Sequence, residues 1–188
     1  MGKKFNLLKS QIRNVKFGKN CTVIEPSNLY ECELGNDVFV GPFVEITNGV
    51  KVGDRTRVSS HSFICNLVNI GKDCFIAHGV MFTNDLFKEG KILRDEKYFF
   101  RTNIGNNVII GSNATILPVN ICSESVIGAG SVVTKDINVK GTYAGNPAKY
   151  LRINSIGLER RNGSFPELKD EKYRYETILT EMNRHYTK

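Results

Sequence analysis

A chain of 188 residues with 40% hydrophobic residues, no tryptophan and a formal charge of +7 has the length of one domain with a short appendage, but little apolar material for a conventional globular core. It contains no apolar run of the roughly 18 residues a membrane span requires, and its basic N-terminus lacks the apolar segment of a secretory signal. Five cysteines, an odd number without a Cys-x-x-Cys pair, argue against a disulfide framework or a zinc site and for reduced thiols in a cytoplasmic protein.

In chain order, residues 1–16 come first as a basic segment. Lys3, Lys4, Lys9, Arg13, Lys16 and, just beyond, Lys19 give the first twenty residues six bases and no acid. Such a surface suits a polyphosphate ligand, nucleic acid or anionic lipid, although solvated surface charge is the plainer account. From Leu34 the chain divides into sixes: LGNDVF, VGPFVE, ITNGVK, VGDRTR, VSSHSF, ICNLVN, IGKDCF, IAHGVM, FTNDLF. The first position is always large and apolar, the fifth mostly small or β-branched, and the second often glycine (Gly35, Gly41, Gly53, Gly71). Upstream the pattern runs weakly as FGKNCT, VIEPSN and a short LYECE. It fails from Lys88 to Asn103, then resumes as IGNNVI, IGSNAT, a five-residue ILPVN, ICSESV, IGAGSV, VTKDIN and VKGTYA.

A period of six is neither the helical period nor simple alternation. It fits one short strand plus one corner, with three sides making a triangular coil of eighteen residues whose first and fifth positions point inward. The corner glycines are expected to supply backbone angles with positive φ. Because each coil buries its faces against the next, a modest apolar fraction suffices. A sandwich of short strands would have variable turn lengths, and these are metrically fixed. The expectation is an all-β parallel β-helix over residues 17–153, with an inserted loop at 88–103. After it, residues 154–188 form a tail with a helix from about Lys169 to Arg184, where Tyr175, Ile178, Leu179 and Met182 make an apolar stripe.

The repeat, with IGAGSVVTKDI at Ile127–Ile137 and GTYAGNPAKYLR at Gly141–Arg152, resembles the left-handed β-helix acyltransferases, the hexapeptide-repeat family. That resemblance implies a left-handed coil, a homotrimer and acetyl-CoA as cosubstrate between neighbouring helices. HGVMFTNDLF (His78–Phe87) and NATILPV (Asn113–Val119) resemble, more narrowly, bacterial nucleotide-sugar 3-N-acetyltransferases of surface polysaccharide biosynthesis, including that of lipopolysaccharide. The implied acceptor is a dTDP-linked 3-amino-3,6-dideoxyhexose. A UDP-linked 2-acetamido-3-amino-glucuronate and an O-acetyl acceptor are the alternatives.

Third and fourth positions of a unit lie at an outward corner. His78, Asn84 and Asp85 are therefore expected to face outward just before the insertion, which carries Lys88, Lys91, Arg94, Lys97 and Arg101. A histidine can take the proton from an attacking amine, and an amide or a backbone N–H can stabilise the developing oxyanion. His78 is the candidate base, and Asn84 the residue that orients the acceptor. Asp85, His61, Arg94 and Arg101 are candidate substrate contacts, although His61 also fits a stacking role. The plainer alternative is that His78 packs in a seam between subunits, and some relatives use the departing sulfur in place of a side-chain base. For the cosubstrate, the resemblance points to Gly111, Ala129, Ser131, Lys135, Pro147, Lys149 and Arg152: small residues to admit the pantetheine arm, cations to meet phosphates.

No metal is expected. Zinc in a β-helix carbonic anhydrase takes three converging histidines, and only His61 and His78 lie in the repeat. Nucleic-acid binding would want basic and aromatic residues interleaved on one face, which the sequence lacks. A purely structural or binding solenoid is the non-enzymatic alternative; acetyl-CoA binding separates it from an enzyme.

Overall fold

The computed structural model describes residues 11–91 and 95–152. Most of the N-terminal basic cap, Arg94 and the expected C-terminal helix lie outside the described residues.

Short strands recur with a period of three and stack in parallel into three sheets. The first face holds Lys16–Phe17, Glu33–Leu34, Lys51–Val52, Val68–Ile70, Thr102–Ile104 and Asn120–Ile121. The second begins with Thr22–Val23, Phe39–Val40, Arg57–Val58, Phe75–Ile76, Ile109–Ile110 and Val126–Ile127. The third holds Asn28–Leu29, Glu45–Ile46, Phe63–Ile64, Met81–Phe82, Thr115–Ile116 and Val132–Val133. We call the bends after the first, second and third faces the first, second and third corners. This is the expected three-sided β-solenoid.

The hexad phase explains the core. Val40, Val58, Ile76, Ile110 and Ile127 form one fully buried column, and every first-position residue from Leu34 to Phe82 is buried. Each such side chain contributes about 1.5–3 kcal/mol on leaving water. The fifth position also points inward; the Thr102 hydroxyl there is buried without a partner among the described residues, whereas those of Thr56 and Ser62 are satisfied. Thr56 Oγ1 donates to the Gly71 carbonyl at 2.8 Å and accepts from the Cys74 N–H at 3.0 Å, while Ser62 Oγ donates to the Ala77 carbonyl at 3.0 Å. The register carries the two short units: Lys16 pairs Glu33 and Asn103 pairs Asn120, each one residue short of the regular spacing of Glu33 with Lys51.

Three expectations change. Positive φ belongs to the fourth position of the unit, as at Asp37, His61, Asp73, Gly79 and Asn113, and not to the second-position glycines. Those are required by close stacking: a Cβ on Gly53 would lie 2.6 Å from the Gly71 carbonyl carbon in the next coil. The repeat resumes after the insertion at Thr102, which is buried and pairs with Val68, two residues before Ile104. Finally, the last units lose residues. Ile121 bridges to Ile137 and Ile127 pairs with Tyr143, so Val139, expected inward, is 61% exposed. The solenoid then ends where Lys149–Arg152 folds back antiparallel on Thr142–Ala144.

Candidate active site

The second corner carries the histidine. Val58, Ile76 and Ile110 share one column by register, so the third-position residues Ser60, His78 and Ser112 follow one another along its edge. His78 is exposed, and its Nδ1 lies 2.8 Å from Ser60 Oγ in the preceding coil. Its carbonyl accepts the Asn113 N–H at 2.8 Å. Among the described residues, the main-chain N–H groups of Ser60, His78, Ser112 and Ala129 have no hydrogen-bond partner. The corner therefore offers a ladder of free donors beside an imidazole, with Ser112 and Ala129 following at the third position and the Asn113 side chain lying over Gly79.

His61 takes the fourth position one coil earlier with φ 63°. Its ring stacks on Phe43 at 4.8 Å between centroids and 10° between planes. This is the stacking role.

Asn84 and Asp85 occupy the third corner, where the insertion leaves the coil. Asn84 Nδ2 donates to Oδ1 of the buried Asn66. Its carbonyl accepts the Phe100 N–H at 2.8 Å, which closes the neck of the inserted loop. Asn84 keeps its side-chain oxygen and the second hydrogen of its amide for other partners. Asp85 Oδ1 accepts the Phe87 N–H at 2.7 Å and so shapes the turn into the loop.

Within the loop, Lys97 pairs with Asp95 at 2.8 Å, and Lys88 Nζ lies 4.7 Å over the Phe100 ring. Lys91 and Arg101 are exposed and have no ion-pair partner among the described residues.

The expected cosubstrate residues separate into two groups. Ala129, Lys135, Pro147 and Lys149 are exposed, and Arg152 is half-buried on the returning strand. Ser131 is fully buried, and its Oγ accepts the Gly145 N–H at 3.1 Å, so it supports the final turn rather than facing a ligand. Gly111 serves coil stacking, since a Cβ there would lie 2.5 Å from the Ala129 nitrogen. Sequence reasoning missed Ser60 and Asn66. The signal was present: each stands eighteen residues, one coil, before His78 or Asn84.

Among the described residues no cluster of three His, Cys, Asp or Glu side chains could hold a metal, and no helix is long and apolar enough to cross a membrane.

Two family profiles match the repeat: "Bacterial transferase hexapeptide (six repeats)" over residues 31–66 and "Hexapeptide repeat of succinyl-transferase" over residues 101–135. YJL218W of Saccharomyces cerevisiae, provisionally named an acetyltransferase, is 33% identical over 150 residues, covering 77% of this chain and 70% of that protein. The bifunctional protein GlmU of Wolbachia pipientis is 36% identical over 108 residues, which is 57% of this chain but only 23% of that protein. The chain thus spans about a quarter of the length of the GlmU proteins it matches. Among solved structures, AntD, a Bacillus cereus N-acyltransferase with dTDP and coenzyme A, superposes with a TM-score of 0.66 at 16% identity, covering 90% of this chain and 91% of that one. Perosamine N-acetyltransferase of Caulobacter crescentus, with coenzyme A and GDP-perosamine, gives 0.52 at 20% identity over 71% and 57%. At these identities the likeness is one of fold.

Proposed function

This chain belongs to the hexapeptide-repeat acyltransferase family, and from that premise we propose that it moves an acetyl group from acetyl-CoA to the 3-amino group of a nucleotide-linked amino sugar, with dTDP as the favoured nucleotide. The observation that carries this reading is the second corner, where an exposed imidazole stands beside a run of unpaired main-chain N–H groups. Those donors fit the amide carbonyls of a pantetheine arm, and the small side chain of Ala129 leaves room for it.

In the reaction, His78 Nε2 removes a proton from the acceptor nitrogen as that nitrogen bonds to the acetyl carbon. A main-chain N–H of the same corner donates to the thioester oxygen as it gains charge, the kind of pre-placed donor that does most in acyl transfer. His78 then returns its proton to the sulfur as the C–S bond breaks, which leaves the amide and the free thiol. Asn84 orients the acceptor, its side-chain oxygen taking an N–H or O–H donor. Arg101 and Lys91 meet its diphosphate, and Lys149 and Arg152 meet the phosphates of the coenzyme.

The distribution of outward side chains supports a trimer. The second face presents Phe39, Phe75, Ile109 and Val126 beside Thr22 and Arg57, and the third presents Phe63, Met81 and Val132 beside Asn28, Glu45 and Thr115, with Met81 41% exposed. The first face is polar: Asn69, Asn103 and Asn120 join Asp136 in a side-chain ladder at 2.8–3.2 Å. The apolar side chains on both sides of the second corner suit burial between copies, with the corner in the seam. A cytoplasmic location accords with a nucleotide-sugar acceptor.

The test is thiol release from acetyl-CoA with dTDP-3-amino-3,6-dideoxyglucose, its galacto epimer and UDP-2-acetamido-3-amino-glucuronate. Turnover of a dTDP-linked amine is the expected result. Turnover of the UDP sugar alone would move the assignment to the uronic acid, and acetyl-CoA binding without turnover of any would discard the acceptor class.

A further inference from the structure

Ser60 has no place in the reaction as written, yet it is the only described side chain bonded to the candidate base. Its position is set by the fold. Val58 and Ile76 are directly paired, so the residues two places on, Ser60 and His78, stack at the same corner, and Ser60 Oγ reaches His78 Nδ1 at 2.8 Å. Each of these side chains has freedom that the other removes. An imidazole on an exposed corner can rotate about χ1 and χ2, and can carry its single proton on either nitrogen when neutral. The hydrogen bond made by one ring nitrogen decides which tautomer is present and therefore what the other nitrogen can do.

We propose that Ser60 is a positioning residue that holds neutral His78 with its proton on Nδ1, donated to Ser60 Oγ, and so keeps the Nε2 lone pair outward and free to accept a proton. A serine hydroxyl both donates and accepts. Ser60 is half-buried, so its own O–H can turn to solvent while Oγ accepts from the ring. The reverse polarity, with the hydroxyl donating into Nδ1, would leave Nε2 protonated and unable to act as a base. The alternative capping role for a third-position side chain does not apply here. At the first corner such side chains accept from a main-chain N–H of the preceding coil, as Ser123 Oγ does from Asn106 N, whereas His78 is bonded to the hydroxyl of Ser60 and leaves the Ser60 N–H without a partner among the described residues.

This inference rests on the reading of His78 as base, but its test does not depend on turnover. The chain has three histidines, so ring ¹⁵N spectra at alkaline pH, where imidazoles are neutral, are assignable by the signals lost in His78→Asn. The expected result is a His78 ring protonated on Nδ1 in the parent protein and in Ser60→Thr, and a shift toward the Nε2-protonated form in Ser60→Ala. A parent ring already protonated on Nε2, or a tautomer unchanged by Ser60→Ala, would overturn the proposal. Where the acceptor panel gives turnover, Ser60→Ala is further expected to lower kcat about tenfold, the scale of one lost hydrogen bond, with KM for acetyl-CoA held and Ser60→Thr restoring the rate. If no acceptor turns over, the acceptor assignment fails and the ring spectra still decide the role of Ser60.

Discussion

The first and second corners are built from the same position of the same hexad, yet they treat the backbone in opposite ways. At the first corner the third-position side chains close it. Asn36 Oδ1 accepts the Lys19 N–H at 2.8 Å, Asp54 Oδ1 the Asn36 N–H at 2.9 Å, Asn106 Oδ1 the Lys72 N–H at 2.9 Å and Ser123 Oγ the Asn106 N–H at 2.9 Å. The Arg55 guanidinium adds a two-pronged pair with Asp73 at 2.8 and 2.9 Å. At the second corner Ser60, His78, Ser112 and Ala129 leave the equivalent N–H groups unpartnered among the described residues. A buried donor left in this state would cost on the order of 1–3 kcal/mol. On an exposed corner water meets it, and a ligand can take the water's place. The solenoid thus uses one corner for its own cohesion and leaves the donors of another free.

Substitutions that exchange these roles sharpen the contrast. The largest effect is expected for His78→Ala, which should lower kcat about a hundredfold or more, the usual scale of general-base removal, with KM for acetyl-CoA little changed; steady-state thiol release measures both. Ala129→Asn would place a carbonyl-bearing side chain where it can cap the Ser112 N–H, as Asn106 caps Lys72. It should raise KM for acetyl-CoA about tenfold, a cost near 1.4 kcal/mol, while the melting temperature holds. At the closed corner, Asn106→Ala should lose about 1 kcal/mol of stability in chemical denaturation and leave kinetics intact. The smallest effect concerns the thiols. Burial pushes Cys32 and Cys65 up to about 11, so little thiolate exists at neutral pH, and native-state labelling should be slower there than at the half-buried Cys21 and Cys122.

The sequence carried the coil because two of every six positions are inward, and a pattern repeated so often needs no alignment to be read. Leu34 through Phe82 are buried in phase, and even the short units fall where LYECE and ILPVN place them. Legibility failed where the spacing itself changed, as at Val139, which a straight count of six sends inward and the shortened last coils turn out. The site was half legible. Histidine at a third position announced an outward side chain, but serine at that position is ambiguous: Ser123 caps a backbone N–H, Ser60 holds an imidazole, and Ser112 does neither. Which of these occurs depends on the residue one coil away. Ser131 shows the converse. Its small size suited a cosubstrate contact, yet the fifth position turns it fully inward.

The claim that the second corner is the binding edge is tested most directly by hydrogen–deuterium exchange with and without acetyl-CoA. The account predicts slowed exchange at residues 111–114 and 128–130, and no change at residues 35–37 and 105–107 of the closed corner. Protection confined to the closed corner, or none at saturating acetyl-CoA, would contradict it.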